Sequence, residues 1–148
     1  MAFFDIQTPR DMLCKLEHHY RSIEQTPSDV YAIGDFFTTA EQTLDYIHPN
    51  NPKARAEERN TEIILQVCSH LATLYKHTEA NQPRHDSVQN TVLAGAVFQR
   101  NSFQADAFQV GTPVVELKGK AAEKFGSTIQ VTDFAREVLE YWRGRLQP

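Results

Sequence analysis

The hydrophobic and polar positions in the first part of the chain follow the period of an α-helix. Over residues 8–25, apolar residues recur every three or four positions and form a single stripe. The stripe consists of Met12, Leu13, Leu16, Tyr20 and Ile23. Thr8 can act as the N-cap, Pro9 suits the first helical position, and Asp11 lies in the first turn. The pattern therefore predicts an amphipathic helix over about residues 8–25.

A second helix is predicted after a short break. Pro27 cannot continue the first helix and Ser28 can cap the next one, which we expect over residues 29–47. Because the connection is short, the two helices should be neighbours that run antiparallel. The residues expected to face the core are Ile33, Phe36, Phe37, Ala40, Leu44 and Ile47. The residues expected on the opposite, solvated face are Asp35, Glu41, Gln42 and Asp45.

Asn51 and Pro52 can open a third helix. Its first part, residues 53–59, is too charged to be buried over its whole length, so it is either a solvated helix face or a separate short helix. From Thr61 to about His77 the apolar stripe becomes clear. Its members are Ile63, Ile64, Val67, Cys68, Leu71, Leu74 and Tyr75.

The pattern changes after an expected polar loop at residues 78–87. Short β-branched and aromatic runs, separated by glycine and proline, predict strands of a small antiparallel sheet within about residues 90–131. These runs are residues 91–99, 107–110, 113–119 and 128–131.

A last helix should follow the sheet, with Thr132 and Asp133 as its cap and an end near Gly144. Its predicted core residues are Phe134, Val138, Leu139 and Trp142. The order of elements predicts a mainly α fold over residues 1–148. We expect a single-domain, four-helix antiparallel bundle with a small antiparallel β insertion between helices 3 and 4.

Composition and charge narrow the classes of function. A chain of 148 residues can form one core without disulfides, and a net charge of −4 does not favour a broad nucleic-acid surface, although a local cleft could be basic. Cys14 and Cys68 both lie in helical apolar patterns, where we expect them to pack as reduced thiols. No signal-like N-terminus or long apolar run is present, so we expect a cytoplasmic protein without a membrane span.

Candidate chemistry is concentrated at residues 68–77, CSHLATLYKH, where His70, Lys76 and His77 are the candidate catalytic residues. At 100° per residue, the two histidines flank the apolar stripe and Lys76 points away from it. Seven residues separate the histidines by about 10.5 Å along a helix axis, which is too far for one metal ion. We therefore predict no metal site and no cofactor.

The two histidines allow two interpretations. Each can be a boundary residue whose ring tip reaches water. Alternatively, an imidazole acts as a general acid or base, which requires a second group within hydrogen-bond reach. That group could come from the loop that carries Arg84 and His85, or from a second subunit.

The two stretches FFTTAEQTLDYI, at residues 36–47, and CSHLATLYKH resemble the HEPN superfamily, in particular small bacterial members whose third helix ends in a Lys-His pair. The resemblance implies the four-helix fold, a homodimer, and a defence or toxin–antitoxin setting. In the ribonuclease branches of that superfamily, the third helix carries Arg, four to six residues, then His. Here Arg59 lies eleven positions before His70, so that motif is absent.

Two hypotheses of function follow. The first is a partner-binding, catalytically degenerate HEPN-like protein, with a homodimer or a protein partner docked on its hairpin and helix faces. The alternative is a metal-independent ribonuclease, in which His77 assists attack by the 2′-hydroxyl and Lys76 stabilises the charge on phosphorus, with His70 as a further candidate. The net charge does not favour RNA as a partner.

Overall fold

The fold of the chain is mainly helical with a small antiparallel sheet, as the pattern predicted. A computed structural model describes residues 3–77, 83–94 and 112–147. Within these ranges, six helices and three strands follow one another along the chain. They are α1 (Pro9–Gln25), α2 (Val30–Ile47), α3 (Pro52–Thr61), α4 (Ile63–Lys76), β1 (Val88–Ala94), β2 (Thr112–Leu117), α5 (Gly119–Phe125), β3 (Thr128–Gln130) and α6 (Val131–Leu146).

The first two helices begin at side-chain caps. Thr8 and Asp11 form a capping box, in which each side chain accepts a hydrogen bond from the other's backbone N–H. The predicted cap of α2 is wrong by one residue. Asp29, not Ser28, accepts hydrogen bonds from the Tyr31 and Ala32 backbone N–H groups, and the helix starts at Val30.

The charged segment after the second helix forms a separate helix, which was one of the two alternatives. Asn51 caps α3 through a hydrogen bond from the Ala54 N–H, and no residue of α3 is buried. The extended backbone of Glu62 then ends α3 and starts α4. Glu58 links α3 to the end of α2 and to the last helix. Its carboxylate is 2.9 Å from His48 Nε2 and accepts hydrogen bonds from Tyr141 and Arg145.

The sheet has the order β1-β2-β3, with both pairs antiparallel. Ala94 opposite Thr112 closes one end of the first pair, and Val115 opposite Ile129 lies at the middle of the second. The predicted strand at residues 107–110 lies outside the described residues. The prediction missed α5, a seven-residue helix between β2 and β3 that buries Ala121.

The last helix starts earlier than predicted, at Val131, and no side chain caps it. Thr132 and Asp133 therefore lie inside its first turn, and the helix ends at Leu146. Its predicted core residues are all buried, as confirmed for Phe134, Val138, Leu139 and Trp142.

One hydrophobic cluster joins the helices to the sheet. Helix α1 packs on α2 and α6, and α2 packs on α4. The rings of Phe37 and Phe134 stack with their centroids 5.8 Å apart, which links α2 to α6. Cys68 is buried as predicted, but Cys14 is exposed, because its position on α1 lies beside the apolar stripe and not within it. Of the helices described, none has the length and apolar character needed to cross a bilayer.

The ring of Tyr75 in α4 packs directly against Gly34 in α2. A Cβ atom at position 34 would overlap the Tyr75 ring. Tyr75 was predicted in the core, yet it is 42% exposed, because its ring lies over this glycine at the edge of the helix pair. The close approach of α2 and α4 at this point depends on the missing side chain.

We expect Gly34→Ala to destabilise the protein by about 1–3 kcal/mol, because the new methyl group overlaps the Tyr75 ring. In a Tyr75→Ala background the overlap is gone, and the same substitution should stabilise by about 1 kcal/mol, since glycine is a poor helix former. Urea denaturation of the wild type, both single variants and the double variant measures this change of sign. An equal effect of Gly34→Ala in both backgrounds would contradict the contact.

Candidate functional site

His70 is buried between α4 and the first strand. Its side chain is 5% exposed, and Nδ1 accepts a hydrogen bond from the Val88 backbone N–H at 3.2 Å. The neutral ring therefore carries its proton on Nε2. The interpretation of His70 as a boundary residue with its tip in water is wrong, since the chain entering β1 covers this edge of α4.

A second histidine lies against His70. The ring centroids of His70 and His85 are 5.2 Å apart, and His85 is 6% exposed. The loop with Arg84 and His85 thus supplies the neighbouring group that was one of the sequence-based alternatives. His85 Nε2 accepts a hydrogen bond from Arg84 Nε at 3.3 Å, and the Ser69 and Thr73 hydroxyl oxygens lie 3.5 and 3.4 Å from it.

Burial sets the charge state of both rings. Desolvation lowers the pKa of His70 to about 4, and the charges of His85 and Lys118 act in the same direction. Desolvation and the charge of Arg84 also lower the pKa of His85. Both rings are therefore neutral near pH 7, and their contact involves no repulsion between two cations.

The three sequence-predicted candidates do not meet in one site. His70 faces β1, whereas His77 is the exposed C-cap of α4, where its backbone N–H donates to the Thr73 carbonyl at 2.9 Å. Lys76 is exposed, as predicted, with Nζ 3.7 Å from Glu41 Oε2. The structure thus pairs His70 with His85 and leaves His77 apart from them.

Glu41 was predicted to face solvent, but its side chain is only 18% exposed. It accepts a hydrogen bond from the Ser69 hydroxyl at 3.2 Å, in addition to the contact with Lys76. The polar face of α4 therefore covers Glu41. The polar side of α2 is partly buried at this residue. Glu41 is the carboxylate at the centre of the site.

Lys76 is paired with this carboxylate, the charge of Glu41 acts on Arg59, and the charge of Arg84 acts on both Arg59 and His85. We call Arg59, Lys76 and Arg84 the cation cluster. Desolvation lowers the pKa of Arg59, the charge of Glu41 opposes this shift, and the charge of Arg84 adds to it. Arg59 reaches the cluster from α3. The sequence did not predict Arg59 as a site residue. A motif of Arg and His at fixed spacing detects only residues of one helix, and Arg59 lies on a different helix from the histidines.

A second candidate site is an apolar groove between α2, α4 and the sheet, with a volume of about 570 Å³. Its walls include Ile33, Leu71, Leu74, Val92 and Val114, and none of the lining residues that the structure describes is charged. The large apolar and aromatic side chains that stay exposed along it are Val30, Tyr31, Tyr75 and Leu93, at 51%, 74%, 42% and 40%. The volume falls within the range of ligand and peptide pockets.

Carboxylates lie close to Tyr75 at one edge of this groove. The Tyr75 hydroxyl donates a hydrogen bond to Asp35 Oδ1 at 3.3 Å. Desolvation, then the charge of Asp35, raise the pKa of Tyr75, with smaller effects from Tyr31 and Asp29. The apolar floor and the acidic rim together define what could bind here.

Within residues 3–77, 83–94 and 112–147, no group of three His, Cys, Asp or Glu side chains is placed to hold a metal ion. A scan against protein-family models finds no match to this chain, and searches of curated proteins and of solved structures find no significant match. Arguments about function therefore start from the two sites described above.

We expect acid to destabilise the fold through His70. The pKa of this ring is lower in the folded chain, about 4, than its ordinary value of 6.5, so the unfolded chain binds the proton first as the pH falls. The free energy of unfolding should drop by about 2–3 kcal/mol between pH 6.5 and pH 4 from this group.

His70→Asn is the matched test, because Asn Oδ1 can accept the Val88 N–H but cannot titrate. Urea denaturation at several pH values should show a shallower loss of stability for His70→Asn than for the wild type. His77→Asn makes the same substitution at an exposed ring and is the control for the loss of an imidazole. Identical slopes for wild type and His70→Asn would show that His70 does not carry the effect.

Proposed function

We propose that this chain is a partner-binding protein with an HEPN-like fold, in which α1, α2, α4 and α6 form the four-helix bundle and the sheet with α5 is the insertion. The packing of α1 on α2 and α6, and of α2 on α4, supports this assignment. The separation of His70 from His77, and the missing Arg-to-His motif, support a catalytically degenerate member.

The apolar groove is the observation that supports partner binding. Its lining within the described ranges has no charged residue, while four large apolar or aromatic side chains along it remain exposed. An exposed apolar patch beside polar residues is typical of a binding surface. Two helices on one side and a sheet on the other form a trough, which suits an amphipathic helix laid into a groove.

The charge of the rim specifies the occupant. The charges of Asp35 and Asp29 act on Tyr75 of the groove wall, and the described residues that line the groove include no basic one. An amphipathic helix of a partner protein with apolar anchors and lysine or arginine at its margin would match both the floor and the rim. We therefore propose a basic amphipathic helix as the occupant.

A panel of amphipathic helical peptides that differ only in carrying Lys or Glu on the polar face tests this proposal. The Lys peptides should bind more tightly, and Leu93→Glu or Tyr31→Ala should weaken binding at least about tenfold, or about 1.4 kcal/mol. Phe4→Ala, an exposed aromatic outside the groove, is the control. Fluorescence anisotropy measures the affinities. Equal binding of the two peptide sets, or unchanged binding by Leu93→Glu, would contradict it.

The homodimer implied by the resemblance remains a prediction, and sedimentation of the wild type and Leu93→Glu tests it. A dimer that both proteins form leaves the groove free for a partner. A dimer that Leu93→Glu abolishes would mean that a second copy occupies the groove, contrary to the proposed occupant.

The alternative function, a metal-independent ribonuclease, draws support from the exposed imidazole of His77 beside Lys76. If it is correct, a mixed RNA pool should be cut in the presence of EDTA by the wild type and by His18→Ala, which removes an exposed histidine elsewhere, but not by His77→Ala. Gel analysis of the RNA reports the result. Intact RNA with the wild-type protein would count against the nuclease and leave partner binding as the proposed function.

A further inference from the structure

Two arginines of the cation cluster have no ion-pair partner among the described residues. Glu41 and Asp45 oppose the positive charge at Arg59, but Glu41 is paired with Lys76 and Asp45 with Arg55, which leaves Arg59 and Arg84. In the part of the chain that the structure describes, Lys76 is the only one of the three in an ion pair. Ser69 already donates to the same carboxylate. Like charges repel one another, so this arrangement favours an added anion.

Hydrogen-bond donors in this region also lack acceptors. Arg59 Nε is buried and has no hydrogen-bond partner among the described residues, and the same is true of His85 Nδ1. Because His85 Nε2 accepts from Arg84, the neutral ring carries its proton on Nδ1, which makes this atom a donor. His85 is 94% buried, and an unpaired buried donor is uncommon in a folded protein.

Arg59, Arg84 and His85 lie in one neighbourhood. The charges of Arg84, Glu41 and Arg59 all act on His85, and Arg84 is hydrogen-bonded to its ring. Ser69, Thr73 and Lys76 share one face of α4, whereas the groove residues Leu71, Leu74 and Tyr75 lie on the other. The cluster is therefore separate from the groove.

We propose that Arg59, Arg84 and Lys76 form a binding site for a phosphate dianion, either free phosphate or a phosphate monoester. A dianion would match the two arginines that have no ion pair among the described residues, and arginine binds phosphate oxygens through paired N–H groups. Lysine supplies a point charge at the exposed side. This site goes beyond partner binding and does not depend on it.

Titration of the protein with inorganic phosphate and, separately, with adenosine 5′-monophosphate tests the site. Isothermal titration calorimetry at constant ionic strength should give saturable binding of at least one of them. Tighter binding of the nucleotide indicates a monoester, and equal or tighter binding of phosphate indicates the free ion. No saturable binding of either compound, or the same heat from an equal concentration of chloride, overturns the proposal.

Arg59→Gln and Arg84→Gln should each weaken binding at least tenfold, and Lys76→Gln by a smaller factor. Lys53→Gln is the matched control, since Lys53 lies exposed on the same helix as Arg59 and its charge is not among those that act on Arg59. It should bind as the wild type does. Should Arg59→Gln fail to fold, the exposed positions Arg84 and Lys76 still decide the question. Wild-type affinity in Arg84→Gln and Lys76→Gln would overturn it.

Discussion

The hydrogen bond from the Val88 backbone N–H to His70 Nδ1 is the contact on which the rest of the site depends. It joins the helical layer to the first strand in a place closed to water, where a lost acceptor is costly. On one side of Val88 the strand continues into the wall of the groove. On the other side the chain brings His85 and Arg84 onto α4. The backbone hydrogen bond from Lys118 to Ser87 then fixes the end of the neighbouring strand.

The two candidate sites therefore both depend on the orientation of helix α4. Helix α4 presents its apolar side to the groove and its hydroxyl-bearing side to Glu41 and the cation cluster. A helix with two different partners must keep its rotation fixed, and the buried imidazole contributes to that. The neutral state of His70 matters here, because a protonated Nδ1 could not accept the Val88 N–H.

The helices could be predicted from the sequence because their faces differ strongly in polarity, as the bounds of α1 and the buried residues of α6 show. Details that depend on contacts between segments far apart in the sequence could not be predicted in this way. His70 lies at the edge of the stripe of α4, and only the chain that arrives at Val88 makes it a buried residue. Helix α5 was missed because the glycines at its ends suggested turns between strands.

The candidate site likewise combines residues that could be predicted from the sequence with residues that could not. The loop with Arg84 and His85 was recognised as a source of a second group, because it follows α4 directly. The pattern of residues 53–59 indicates only a charged run for Arg59. The pattern of α2 indicates a solvated face for Glu41. Their role near the cation cluster follows from the packing of α3 and α2 against α4, which periodicity along one helix does not describe.

Trp142 gives the protein an internal spectroscopic reporter. It is the only tryptophan in the chain, it is fully buried, and its indole N–H has no hydrogen-bond partner among the described residues. The Tyr141 ring lies 5.0 Å away, close enough to pass excitation energy to it. An indole in such dry surroundings emits at short wavelength and shifts to the red when water enters. Its emission therefore follows the integrity of the core at the α6 side.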